Sequence, residues 1–151
     1  MIIRFSLAWL KTGNSLKQTF KTPGTFDLFL DYYARIKHFS PCEISGSLKP
    51  SSKTTGKILW LCHTSPRSKE ISTEKLAQHL NDYLNSGIKE WTLAIGGPNG
   101  FSEADVSELR PDFCWRFGPL TLPHELAAVV AGEQVYRAWS ILKGLPYHKA
   151  H

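Results

Sequence analysis

The chain has 151 residues, enough for one domain with a substantial hydrophobic core but few for two domains. Its 42% hydrophobic and 21% charged residues are typical of a soluble globular protein, and its apolar runs fall far short of the roughly 20 residues that cross a bilayer. The net charge of +5 is compatible with an anionic partner such as RNA, and equally with a solvated basic surface.

The N-terminal run "MIIRFSLAWLKTG" contains Arg4 and lacks a small-residue cleavage pattern, so it predicts a first strand in a cytoplasmic protein, with no signal peptide and no membrane association. Cys42, Cys62 and Cys114 are widely spaced and form no C-x-x-C pair, which argues against a disulfide framework and a zinc ribbon. The six histidines form no H-x-x-x-H or H-E-x-x-H pattern. We therefore expect no metal site.

Hydrophobic periodicity predicts strands that alternate with helices. In chain order the first half gives a strand in "IIRFSLAW", a helix in "FDLFLDYYARIKHF", a weak strand in "CEISGSL", a polar basic loop at 49–57 and a strand in "KILWLC". The second half gives a helix in "ISTEKLAQHLNDYLNSG", a strand in "WTLAI", a short helix in "SEADVSEL", a short strand in "FCWRF" and a long helix in "LPHELAAVVAGEQVYRAWSILKG". The alternation predicts an α/β fold in one domain over residues 1–151, with a mainly parallel sheet and helices on both faces.

Capping residues mark several helix ends. Ser72 is placed to cap one helix that Gly87 would end, and Ser102 begins a capping box at the start of the short helix. Thr121 is a candidate cap for the last helix, with Pro123 near its first turn. That helix is apolar over more than half of its circumference, so it needs two partners, which favours a subunit interface.

The turn "LAIGGPNGFS" follows a predicted parallel strand at the edge where open α/β sheets bind ligands. Gly96, Gly97 and Gly100 do not give the G-x-G-x-x-G dinucleotide pattern. The segment "TTGKI" is not a Walker A loop either, because Ser51 stands where the first glycine is needed and Ile58 replaces the Ser or Thr. A turn that needs positive φ and a close backbone approach to a ligand both remain as explanations.

Two further segments are candidates for function. The loop "FGPLTLPHE" also follows a strand, so the two loops together could enclose a flat heterocycle through main-chain hydrogen bonds. The tail "LPYHKAH" combines an aromatic ring, an imidazole and a cation in Tyr147, His148 and Lys149, which suit base stacking and phosphate binding. A tail without function is the alternative.

Together the blocks "IGGPNGFS", "PLTLPHELA", "EQVYRAWSI" and "PYHK" resemble the RlmH family in order and spacing over residues 93–149. The N-terminal half matches only in layout. The resemblance implies a SPOUT-class methyltransferase with a deep trefoil knot at its C-terminal end, acting as a homodimer. It further implies that S-adenosylmethionine is the cofactor and that N3 of a pseudouridine in 23S ribosomal RNA, on the assembled ribosome, is the methyl acceptor.

The resemblance also implies roles for individual residues. Cofactor contacts fall on Leu61, Gly96, Phe117, Gly118, Pro119, Leu120, Thr121 and Leu122. A side chain at Gly96 would intrude on the cofactor, and Leu61 and Leu120 would pack on its adenine or methionine portion. RNA contacts fall on Tyr147, His148 and Lys149.

Catalysis needs alignment of the methyl group and help in deprotonating the imide nitrogen. His148 is the candidate for that help, and Arg137 and Lys149 are candidates for phosphate or base contacts. Equally, Arg137 could pair with Glu133 one helical turn earlier.

The chain departs from the family pattern in three loops, one of which is the basic loop at 49–57, which is short for the family's substrate-facing segment. Cys62 replaces an aspartate in "LCHTSPRSKEIS", where the family also has a Gly-Lys loop, and Phe117-Gly118 replaces Leu-Ser. These departures bear on substrate identity more than on the cofactor. Two alternatives therefore remain, namely a catalytically inactive knotted protein that binds RNA or the ribosome, and a SPOUT methyltransferase with another RNA target.

Overall fold

A computed structural model describes residues 1–50, 52 and 54–149. Within them the strands are β1 (Ile2–Leu7), β2 (Cys42–Ser45), β3 (Lys57–Cys62), β4 (Glu90–Ile95) and β5 (Phe113–Trp115). The helices are α1 (Leu16–Thr19), α2 (Thr25–Lys37), α3 (Thr73–Asn85), α4 (Glu103–Leu109) and α5 (His124–Leu142). The alternation of strands and helices predicted from the sequence is confirmed.

The strands form one sheet in the order β2-β1-β4-β3-β5, and each neighbouring pair is parallel. The sheet is therefore wholly parallel in the described part of the chain, where a mainly parallel sheet was expected. All six residues of the central strand β4 are buried. Strands that are covered on both faces favour continuous apolar runs, which explains why "WTLAI" shows little alternation.

Helices cover both faces of the sheet, as predicted. On one face Phe5, Trp60 and Leu93 belong to a large core shared with α2, α3 and α5. On the other face a small cluster joins Leu61 to Val106 of α4. Successive strand residues point to opposite faces, so Trp60 and Leu61 enter different clusters.

The two partners of α5 are helices of the same chain. It packs against α2 on one side and α3 on the other, and Val135 is completely buried. A Cβ on Gly132 would lie 3.6 Å from the Tyr32 Cβ, which is ordinary van der Waals contact, so this position of α5 lies directly against α2. The broad apolar surface of α5 is thus explained within the chain and gives no support to a subunit interface.

Most capping predictions are confirmed. The Ser72 hydroxyl accepts a hydrogen bond from Lys75 N, Ser102 and Asp105 form a reciprocal capping box, and Gly87 follows α3 with φ of +71°. The Thr121 cap is wrong because α5 begins at His124. An N-cap directly precedes the first helical residue, and Pro123 occupies that position without a side-chain hydrogen bond.

Two local details differ from the sequence-based expectation. The short helix α1 was not predicted, although Ser15 and Gln18 form a capping box at its start. The last strand ends at Trp115, so Arg116 and Phe117 belong to the following loop rather than to "FCWRF" as a whole.

Glu125 connects the first turn of α5 to the segment before α2. Its buried carboxylate accepts hydrogen bonds from Lys21 N at 3.1 Å, Thr22 N at 2.9 Å and Thr25 Oγ1 at 2.7 Å. Burial alone would raise the pKa of this carboxyl, but the hydrogen bonds outweigh burial and hold its pKa below the usual value. The contact fixes the start of α5 beside the first helices.

Candidate functional site

The crevice that contains the candidate site opens at the carboxyl ends of β3, β4 and β5. The neighbouring strands β3 and β4 are followed by α3 and α4, which lie on opposite faces of the sheet. Connections that diverge in this way leave a gap above the strand ends, where open parallel sheets bind ligands. The topology therefore locates a site before any side chain is considered.

A cavity of about 690 Å³ fills this crevice. Three loops form its walls, each beginning where a strand ends. The lining residues are Cys62, His63, Thr64, Ile95, Gly96, Gly97, Pro98, Asn99, Gly100, Phe101, Trp115, Arg116, Phe117, Leu120, Thr121, Leu122, Pro123, His124 and Ala127. The volume lies in the range of pockets that hold cofactor-sized molecules.

The glycine turn forms one wall of the cavity and is tightly closed. Gly100 N donates to the Gly97 carbonyl at 2.9 Å, and Gly100 has φ of +67°. A Cβ added to Gly96 would lie 2.9 Å from the Gly100 Cα, closer than real Cβ atoms come to other atoms. Gly96 is therefore required by the turn itself, in addition to any approach of a ligand.

Five of the eight predicted cofactor-contact residues line the cavity. Gly96, Phe117, Leu120, Thr121 and Leu122 line it, and Leu120 is 73% exposed. Three other predicted residues are not among the lining residues, namely Leu61, Gly118 and Pro119. The Leu61 side chain is completely buried in the small cluster of α4, on the other face of the sheet.

Several lining residues were not predicted from the sequence. His63 and Thr64 follow β3, and Arg116 follows β5. The sequence did indicate a site at these positions, because they directly follow buried strands, and the carboxyl ends of parallel strands meet at one edge of the sheet. Burial lowers the pKa of His63, which favours the neutral imidazole near pH 7.

The permanent charge among the residues that line the cavity is positive. None of the residues that line it in the described part of the chain is acidic, and Arg116 is the permanently charged one. Arg116 Nη2 forms an ion pair with Glu70 Oε1 at 3.2 Å. Its Nε is buried and has no hydrogen-bond partner.

The predicted tail residues form a second polar group on α5. Glu133 Oε1 accepts from Arg137 Nη2 at 2.6 Å and from the Tyr147 hydroxyl at 2.9 Å. His148 Nε2 lies 2.8 Å from Glu74 Oε1, and its Nδ1 lies 3.4 Å from Arg137 Nη1. We call Glu74, Glu133, Arg137, Tyr147 and His148 the tail cluster.

Carboxylates determine the electrostatics of the tail cluster. Burial lowers the pKa of the Arg137 guanidinium, but Glu133 more than offsets burial, so the pKa is raised. For Tyr147, burial raises the pKa of the hydroxyl, and its hydrogen bonds raise it further. The predicted alternative, an ion pair between Arg137 and Glu133, is confirmed.

The tail cluster is separate from the cavity in this chain. Arg137, Tyr147, His148 and Lys149 do not line the cavity. Ala127 is the last residue of α5 that lines it, and Glu133 lies about 9 Å further along the helix axis at 1.5 Å per residue. The structure thus brings Tyr147 and His148 together with Arg137 and leaves these residues apart from the cavity.

Two other features are absent from the described part of the chain. Among residues 1–50, 52 and 54–149, no group of three or more His, Cys, Asp and Glu side chains is placed to hold a metal ion. No helix in the described part of the chain is both long and apolar enough to cross a membrane.

Comparison with known proteins gives the class and then the family. The family model described as "Predicted SPOUT methyltransferase" matches residues 21–148, so the chain belongs to that class. Two relatives carry the name ribosomal RNA large subunit methyltransferase H. The protein of Thioalkalivibrio sulfidiphilus is 43% identical over 83 residues, which cover 55% of this chain and 51% of the relative. The protein of Coxiella burnetii is 32% identical over 146 residues, which cover 94% of this chain and 92% of the relative.

The chain thus spans about half the length of the first relative and nearly all of the second. Together with the match over residues 21–148, these similarities show that the chain belongs to the RlmH family of SPOUT methyltransferases. The family predicted from the C-terminal motifs is confirmed.

Proposed function

We propose that this protein is an S-adenosylmethionine-dependent methyltransferase that methylates N3 of a pseudouridine in 23S ribosomal RNA on the ribosome. The observation that carries the proposal is the cavity of about 690 Å³ at the carboxyl ends of β3, β4 and β5. Membership of the RlmH family supplies the reaction, since relatives of this chain are named ribosomal RNA large subunit methyltransferase H.

The cavity fits the proposed cofactor in its chemistry. Phe117, Leu120 and Leu122 offer apolar contacts, and the exposed Leu120 side chain gains burial when a ring packs against it. Gly96, Gly97 and Gly100 line the cavity without side chains that would keep a ligand away from the backbone. When bound, the cofactor supplies an activated methyl group on a sulfonium.

The chain's own residues would bind and orient the reactants. The glycine turn and the loop from Phe117 to Leu122 would hold the cofactor, and Tyr147, His148 and Lys149 would hold the RNA. We assign to His148 the acceptance of the imide proton. Its present contact with Glu74 and the proximity of Arg137 mean that it must exchange partners to act.

The proposal includes three statements about architecture. Residues 1–151 form a single SPOUT domain, its C-terminal segment forms a deep trefoil knot, and the active form is a homodimer. Family membership supports all three. The separation of the tail cluster from the cavity also favours a dimer, because a second copy can bring tail residues to a cavity that this chain's own tail does not line.

The test supplies radiolabelled S-adenosylmethionine and ribosomes from a strain that lacks its own enzyme for this position. The proposal predicts label in the large-subunit RNA at one pseudouridine, mapped by primer extension or mass spectrometry. Label at another nucleotide would contradict the target and favour a methyltransferase with a different RNA substrate. Absence of label despite bound cofactor would also contradict the target, and absence of cofactor binding would favour the inactive RNA-binding alternative.

A further inference from the structure

The strongest unexplained group outside the predicted site residues is the guanidinium of Arg116. This residue directly follows β5 and lines the cavity. Its backbone is fixed, because Arg116 N donates to the Lys69 carbonyl at 3.0 Å. Its Nη2 is held by Glu70 at 3.2 Å, so the backbone and the side chain of Arg116 are both anchored to the neighbouring residues 69 and 70.

One atom of this anchored group lacks a partner. Arg116 Nε is buried from solvent and makes no hydrogen bond. A buried donor without an acceptor is costly, so the side chain gains free energy when a small shift lets Nε meet an acceptor in the cavity. The acceptor that fits a guanidinium best is a planar carboxylate, or else a phosphate.

The charge of the cavity selects among the groups of the proposed cofactor. No acidic residue lines the cavity in the described part of the chain, whereas Arg116 brings one positive charge. S-adenosylmethionine carries a sulfonium and an ammonium, which Arg116 repels, and one carboxylate, which it attracts. Charge therefore favours the carboxylate end of the cofactor at Arg116.

We propose that Arg116 binds the carboxylate of the cofactor's methionine portion and thereby sets the direction in which the cofactor lies in the cavity. This inference rests on the proposed function, since it needs a cofactor of that class. Glu70 acts as a positioning residue that holds the guanidinium towards the cavity wall.

The test measures binding by titration calorimetry with two ligands. S-adenosylhomocysteine carries the carboxylate, and its decarboxylated analogue S-adenosyl-3-thiopropylamine keeps the amine but lacks the carboxylate. Arg116→Gln should weaken binding of S-adenosylhomocysteine by roughly 10- to 100-fold and leave binding of the analogue unchanged or slightly tighter, because the analogue keeps the ammonium that Arg116 repels. Arg116→Lys should fall between wild type and Arg116→Gln, because it keeps the charge and loses the planar fork.

Two control variants separate this role from a structural one. Arg67→Gln removes a nearby exposed arginine that does not line the cavity, and it should bind both ligands like wild type. Glu70→Gln should weaken S-adenosylhomocysteine binding less than Arg116→Gln does. Thermal unfolding of each variant checks that the strand end is intact.

The other outcomes contradict the inference in distinguishable ways. Equal loss of affinity for both ligands in Arg116→Gln would show that Arg116 only supports the cavity wall. Unchanged affinity for both, with weaker binding of ribosomal RNA, would assign Arg116 to a phosphate and overturn the carboxylate role. Failure of the wild-type protein to bind either ligand would overturn the proposed cofactor itself, and this inference with it.

Discussion

The cavity and the tail cluster both adjoin helix α5, but they differ in the residues that form them. The cavity at the amino end of α5 is lined by glycine, proline and apolar residues together with several polar ones, and one lining residue, Arg116, has a buried donor without a partner. The tail cluster further along α5 consists of charged and aromatic side chains whose polar groups are paired with one another. The cavity is thus preorganised to receive a ligand, whereas the tail cluster must exchange partners before it can act on one.

This difference predicts that the two regions can be disabled separately. Changes in the glycine turn should act on cofactor affinity, and changes in the tail cluster should act on methyl transfer. Substitutions at His148, Gly96 and Glu133 test this separation, and one at Glu125 tests the contact that fixes the start of α5.

His148→Ala should have the largest effect, on the rate of transfer alone. Loss of a proton acceptor typically costs about 10²- to 10⁴-fold in rate, and S-adenosylhomocysteine binding should be unchanged because the role assigned to His148 concerns the RNA base and not the cofactor. Single-turnover transfer to ribosomes measures the rate. His38→Ala, at the exposed end of α2, is the control. An unchanged rate in His148→Ala would remove this residue from the mechanism.

Gly96→Ala should act on cofactor binding. Its Cβ would lie 2.9 Å from the Gly100 Cα, so the turn must open, which should weaken binding by roughly 100-fold and cost about 1–3 kcal/mol of stability. Gly97→Ala adds the same methyl at 4.0 Å from the Trp9 Cβ and should leave stability unchanged. Calorimetry and urea unfolding measure both effects. Equal stability of the two variants would show that the turn is not close-packed.

Glu125→Gln should lower stability in a pH-dependent way. The pKa of Glu125 is depressed in the folded protein, so its contribution is present above the unfolded pKa of about 4.3 and is lost as pH falls through the folded pKa. The variant should lose about 2–3 kcal/mol at pH 7 because the amide weakens its hydrogen bonds, and markedly less at pH 3. Urea unfolding at both pH values measures this. An equal loss at pH 3 would contradict the assignment.

Glu133→Gln should have the smallest effect on stability. It weakens the contacts to Arg137 and Tyr147, which should cost about 1–2 kcal/mol, while cofactor affinity stays unchanged. Glu108→Gln, on an exposed position of α4, changes the charge equally and should be neutral. Weaker cofactor binding in Glu133→Gln would show that the two regions are coupled.

Regular elements were predictable because their signals are local. Ser72 and the pair Ser102 and Asp105 mark helix starts by hydrogen bonds within one turn, and the structure has those bonds. The broad apolar surface of α5 was equally visible, but periodicity does not say whether a partner belongs to the same chain. Here both partners do.

The site was predictable where a motif follows a strand. The glycine turn and the loop from Phe117 to Leu122 line the cavity in large part, whereas Leu61 does not, because alternation turns its side chain to the face of α4. Arg116 was missed because it was assigned to a strand that ends one residue earlier. The contacts of His148 with Glu74 join residues 74 positions apart, which no local pattern reveals.

The most direct test of the account is a crystal structure of the full chain with S-adenosylhomocysteine. The account predicts the ligand between the glycine turn and the loop from Phe117 to Leu122, with its carboxylate on Arg116. Density for the ligand elsewhere on the protein, or crystals that hold none at saturating concentration, would contradict it.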